Sequence, residues 1–157
     1  MNLLQQNRHV RRALVYGVSS FFVMCFIFSQ SILSMESSGD LSAGFMAIIK
    51  PLLDPKGIIS EEFFHHCLRK AAHFTEFAVF GCLFCCFAVN LGRVLNKRFV
   101  VLALYIPLVV AVCDEFIQYF TGRGSMVTDV AIDYLGGLSG VLLIWLILRI
   151  RNQKLSQ

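Results

Sequence analysis

Four stretches of about twenty mostly apolar residues dominate this sequence: Ala13–Leu33, Ala72–Leu91, Phe99–Phe120 and Asp129–Ile150. An α-helix needs about 20 apolar residues to cross a hydrocarbon core, and 57% of the chain is hydrophobic while only 15% is charged. A soluble domain carries roughly 25% charged residues, so the pattern predicts an all-α membrane protein of about four spans. With 157 residues so largely committed to spans, no separate soluble domain fits. The whole chain, residues 1–157, reads as a single membrane domain.

Charge placement then predicts orientation. Arg8, Arg11 and Arg12 precede the first span, Arg93, Lys97 and Arg98 separate the second from the third, and Arg149, Arg151 and Lys154 follow the fourth. None of these segments contains an acid, and lysine and arginine near span ends favour the cytoplasmic side. Both termini are therefore expected inside. All ten acids lie in the first or third loop or in the span ends that face them, which is the expected outer side. The net charge of +4 follows from this orientation signal and from contact with anionic inner-leaflet lipids, so no nucleic-acid partner is expected. The arginines before the first span resemble the start of a signal peptide. The apolar run is long for a signal core and no A-x-A site follows it, so a retained span is expected.

The six cysteines do not read as a disulfide framework, because Cys25, Cys82, Cys85, Cys86 and Cys113 lie inside apolar runs. The Cys82-x-x-Cys85-Cys86 cluster reads as small apolar packing. In the first loop, a short interfacial helix is expected before Pro51 and a turn at Asp54–Gly57. Glu61, Glu62 and Asp54 read as solvated. Ser60 followed by Glu61 and Glu62 marks a helix start, and that helix should run into the second span until Asn90 or Gly92. Pro107 should kink the third helix, Thr128 is the expected cap of the fourth, and Gly136 and Gly140 form a small-xxx-small pair.

The polar residues inside spans carry the functional signal. Arg69, His73 and Glu76 share one face of the second helix, as do Asp114 and Gln118 on the third with Glu115 beside them. Asp129 and Asp133 do so on the fourth, continuing into the glycines. The orientation puts all three faces at one membrane level, so an outward pocket is expected. Structural ion pairing alone leaves it too negative, since five carboxylates face Arg69, Lys70 and Arg123. Arg123 sits between two glycines ahead of a helix start, which suits an anionic head group. The carboxylates could bind a divalent cation such as Mg²⁺, with Glu76, Asp114, Glu115 and Asp129 as candidate ligands. His73 is a candidate base or ligand only in company with Glu76, and His65 and His66 read as solvated.

The segments R-K-x-x-H-F-x-E at Arg69–Glu76, D-E-x-x-Q at Asp114–Gln118, G-R-x-S, and D-x-x-x-D-x-x-G-x-x-x-G at Asp129–Gly140 resemble the VanZ-like family. Phe28-Ser29-Gln30 is similar to that family's Ser/Gln-rich end of helix one. The resemblance implies functional roles for Arg69, Lys70, His73, Glu76, Asp114, Glu115, Gln118, Arg123, Ser125 and Asp129. Phe77 stands where tyrosine is common and Asp133 where asparagine is common, which leaves open whether position 133 needs a carboxylate. The family is named for a member associated with resistance to teicoplanin, which implies action at the outer face of the cell envelope, in the cell membrane. It supplies no reaction.

Three functions are compatible with this pattern. One is a protein that binds or modifies a lipid-linked phosphate, cell-wall precursor or lipoglycopeptide, with His73, Glu76, Asp114 and Glu115 as catalytic candidates. Arg69, Lys70, Gln118, Arg123, Ser125, Asp129 and Asp133 would then bind the substrate. The second is a binder without turnover. The third is a proton-coupled transporter or flippase, which the one-sided acids disfavour; four helices alone would also make a narrow path unless the chain forms a homo-oligomer.

Overall fold

The computed structural model describes residues 3–32, 48–54, 59–122 and 126–154. Four helices carry the fold: α1 (Leu3–Ile32), α2 (Glu61–Leu95), α3 (Val100–Phe120) and α4 (Val127–Lys154). All four are long and apolar enough to cross a membrane. Residues 48–53 are also helical, just before Pro51 and through it. The rest of the expected interfacial helix and most of the expected turn at Asp54–Gly57 lie outside the described residues.

Each boundary has a local cause. The α2 start forms as the sequence suggests, with Ser60 in extended conformation and its hydroxyl accepting the Phe63 N–H at 3.4 Å. Its end does not. Asn90 and Gly92 were expected to break the helix, yet it continues to Leu95 and closes at Asn96, which adopts a left-handed φ of 52°. Asn90 instead turns back on its helix, donating to the Cys86 carbonyl at 2.8 Å, and its Oδ1 meets His9 Nδ1 of α1 at 3.0 Å. Gly92 is needed because a Cβ there would meet the Lys97 carbonyl oxygen at 2.5 Å. Both residues serve packing, not termination. Likewise α4 begins at Val127, so Thr128 lies inside its first turn, its hydroxyl on Asp129 Oδ1 at 3.4 Å. Asp54 is buried, not solvated, because its Oδ2 accepts the Ile59 N–H at 2.8 Å and ties down the approach to α2.

The helices alternate in direction, so α2 and α4 run parallel and form the most extensive interface of the bundle. Their contact is made by backbone. A side chain at Gly136 would strike the Phe74 carbonyl, one at Gly140 the Ala78 carbonyl, and one at Gly81 the Gly137 carbonyl. This is the small-xxx-small geometry expected from the glycine stripe. Pro107 of α3 closes on the same seam, within 2.7 Å of where a Gly137 Cβ would sit.

Above and below the seam the core is aromatic and aliphatic. Ile27, Phe77, Phe80, Val110 and Ala111 form one cluster, and Cys85, Ala88, Ala103 and Val141 another. Helix α1 packs on α2 and α3 through Ala13, Ser20, Ile27 and Ser31, at steps of seven, seven and four. The outer faces remain apolar, with Phe21, Phe22, Val109, Leu142, Leu143 and Trp145 all exposed. A bundle hydrophobic both inside and out is suited to lipid. All six cysteines are unpaired.

A β-branched side chain cannot enter this seam without moving a helix backbone. Gly140→Val should lower stability in detergent by about 1–3 kcal/mol or more, read as a fall in the thermal unfolding midpoint. Leu143→Ala, on the lipid-facing side of the same helix, should change it by less than about 0.5 kcal/mol.

Candidate functional site

The polar motif residues meet at one end of the bundle. Around a small cavity of about 10 Å³ stand Arg69, Lys70 and His73 from α2, Glu115 and Gln118 from α3, and Asp129, Ile132 and Asp133 from α4. Such a volume holds about one water or one ion. The convergence expected from three helical faces is therefore present. The arginines and lysines at the ends of α1, α2 and α4 lie toward the opposite end. Arg12, Arg93 and Arg151 there line a separate cleft.

Asp114 is the centre of a network and has no exposed surface. Its Oδ1 accepts the Ser31 hydroxyl at 2.6 Å and its Oδ2 accepts Gln118 Nε2 at 2.8 Å, with the i, i+4 spacing of the motif making the second contact. Gln118 Nε2 also approaches Ser31 Oγ at 3.4 Å, and the Thr121 hydroxyl donates to the Ser31 carbonyl at 3.0 Å. Ser31 was not among the residues singled out in the sequence. It lies four residues after Ile27 on the buried face that Ala13, Ser20 and Ile27 mark at steps of seven, and that shared helical face is the signal that could have found it.

The other acids have different work. Glu115 is nearly buried and accepts the Met126 N–H at 3.1 Å, which secures the segment entering α4. Asp129 pairs with Lys70 at 2.7 Å, a partly buried bridge between the parallel helices. Glu76 is half-buried within electrostatic reach of Asp114 and Asp133. Asp133 is 2% exposed, and its Oδ2 has no hydrogen-bond partner among the described residues. Donor atoms of His73, Asp114 and Asp133, one residue from each of α2, α3 and α4, lie within 4.8 Å of one another. Of the four carboxylates expected as metal ligands, only Asp114 is in this set. Arg123 and Ser125 lie outside the described residues.

Among the described motif residues, the five carboxylates Glu76, Asp114, Glu115, Asp129 and Asp133 stand with two permanent cations, Arg69 and Lys70. Ionised groups cost several kcal/mol inside a bilayer, so the arrangement stores negative potential that attracts cations and polar donors. Arg69 and Lys70, at the rim, offer the opposite sign to an anion.

A family model described as VanZ/LLP1 matches residues 13–149. No curated protein and no solved structure matches the chain.

Removing the Ser31 hydroxyl leaves a fully buried carboxyl oxygen one donor short. Ser31→Ala should cost about 1–2 kcal/mol, more than the roughly 0.6 kcal/mol average for interhelical hydrogen bonds in membranes. Denaturation in mixed micelles measures it. Ser29→Ala should cost under about 0.5 kcal/mol, since Ser29 is exposed and its hydroxyl serves only the Phe26 carbonyl of its own helix.

Proposed function

The chain belongs to the VanZ/LLP1 family, and from that premise we propose that it binds the phosphate-bearing head group of a lipid-linked cell-envelope precursor at the outer face of the membrane. The observation that carries this reading is the convergence of Arg69, Lys70 and the Gln118, Asp129 and Asp133 side chains on one end of the bundle. That end is the one opposite the arginine and lysine clusters, and such clusters favour the cytoplasm. Arg123, in the segment joining α3 to α4, adds a third cation by its place in the sequence. Arginine and lysine are the side chains that hold phosphate, arginine by a bidentate fork and lysine as a point charge.

The cavity is too small for a phosphate. The head group therefore docks on the rim, against Arg69 and Lys70, with its hydrocarbon chain along the apolar outer faces. Binding is a better reading than turnover. Asp114 is held by Ser31 and Gln118, Glu115 by a backbone N–H, and Asp129 by Lys70, so these carboxylates are engaged in structure and not poised as bases. Proton-coupled transport is disfavoured because no acid lies in the other half of the bundle to complete a relay. Resistance to a lipoglycopeptide would follow from sequestration, since a precursor held at the outer face is less available to an antibiotic that binds it.

Native mass spectrometry of the detergent-solubilised chain with a polyprenyl phosphate tests the binding. Wild type should retain the phosphate and not the neutral polyprenol, and Arg69→Gln or Lys70→Gln should weaken retention about tenfold, the equivalent of about 1.4 kcal/mol. Equal retention of alcohol and phosphate would sink the reading.

The side of the membrane is tested separately. Cys67, exposed on α2 near the cavity end, should react with a membrane-impermeant maleimide in intact cells when the other five cysteines are replaced. Reaction only after permeabilisation would place the site inside.

A further inference from the structure

We infer that His73, Asp114 and Asp133 form a binding site for a first-row transition dication such as Zn²⁺ or Mn²⁺. One ligand comes from each of α2, α3 and α4, with donor atoms within 4.8 Å of one another. Three ligands on one Zn²⁺ at about 2.0–2.2 Å in tetrahedral geometry lie about 3.3–3.6 Å apart, so side-chain movement of at most about 1.5 Å closes the site. The cavity that Asp133 and His73 line, about 10 Å³, matches an ion in size.

Two further observations point to a ligand and not to a mere acidic cluster. Asp133 is 98% buried, and its Oδ2 has no hydrogen-bond partner among the described residues, a state that costs free energy unless something else satisfies it. Asp114, by contrast, already has its carboxylate oriented by Ser31 at 2.6 Å and Gln118 at 2.8 Å, the kind of outer hydrogen bonding that fixes a metal-ligating carboxylate while leaving lone pairs for the ion. The surplus of acids over Arg69 and Lys70 supplies the countercharge.

The donor set selects the class of ion. An imidazole with two carboxylates suits Zn²⁺, Mn²⁺ or Fe²⁺, whereas Mg²⁺ and Ca²⁺ favour all-oxygen shells. Three protein ligands also leave coordination positions open, as in sites where water or substrate completes the shell. The site adjoins the rim assigned to the head group but does not depend on that reading. An assay with metal alone, free of lipid phosphate, lets either fail without the other.

The test uses the full chain in detergent, stripped with a chelator and titrated with Zn²⁺ against a colorimetric competitor, with metal content read by mass spectrometry. Wild type should take up one equivalent that millimolar Mg²⁺ does not displace, and its thermal midpoint should rise. Asp133→Asn keeps the side-chain volume and should leave the metal-free midpoint unchanged or higher. It and His73→Gln should each weaken Zn²⁺ at least about tenfold and abolish the rise. A variant with all six cysteines replaced should bind like wild type. Failure to bind Zn²⁺ would overturn the site, as would affinity unchanged in Asp133→Asn and His73→Gln. Loss of binding on replacing the cysteines would mean an adventitious thiol site and would overturn it equally.

Discussion

The backbone contact between α2 and α4 determines where everything else sits. In lipid there is no hydrophobic force to drive helices together, so association depends on close van der Waals packing and interhelical hydrogen bonds. Glycines at 81, 136, 137 and 140 remove the side chains that would hold the helices apart. Because the two helices run parallel, this contact also fixes register. With Gly136 on the Phe74 carbonyl, the turn of α4 above it brings Asp133 to His73, and the turn above that brings Asp129 to Lys70. The carboxylates are thus delivered to α2 by glycines that carry no chemistry of their own.

The polar groups in turn decide how the ends are held. The middle of the bundle has backbone contact and an aromatic core. At one end Ser31, Asp114 and Gln118 join α1 to α3, and Lys70 with Asp129 joins α2 to α4. At the other end His9 and Asn90 join α1 to α2. A polar contact has few competitors in hydrocarbon, so each serves as an address that fixes which helices meet and at what height, even where its net free energy is small.

Much of this was legible in the sequence because it is local. Span number, the Ser60 cap, the glycine stripe and the shared faces of Arg69, His73, Asp114, Gln118, Asp129 and Asp133 all follow from periodicity along one helix. What was not legible depends on a neighbour. Asn90 and Gly92 look like helix breakers until α1 and the Lys97 carbonyl are placed beside them. Ser31 reads as an ordinary polar end to a span until Asp114 stands opposite, and Asp54 reads as solvated until Ile59 turns its N–H toward it. The grouping of His73 with Asp114 and Asp133, in place of the carboxylates expected together, has the same origin. Spacing within a helix says which face a residue is on, whereas the α2–α4 register says which turn it meets.

Ser31 also gives α1 a place in the site that its distance from α4 would not suggest. Helices α1 and α4 are not neighbours among the described elements, yet both reach the same carboxyl groups, α1 through the Ser31 hydroxyl on Asp114 and α4 through Asp133 within the same donor cluster. Asp114 is therefore a point at which the end of α1 and the carboxylates delivered by the glycine seam meet. The hydroxyl of Ser31 makes the end of the first span part of the site's hydrogen-bond network though it lines no part of the cavity.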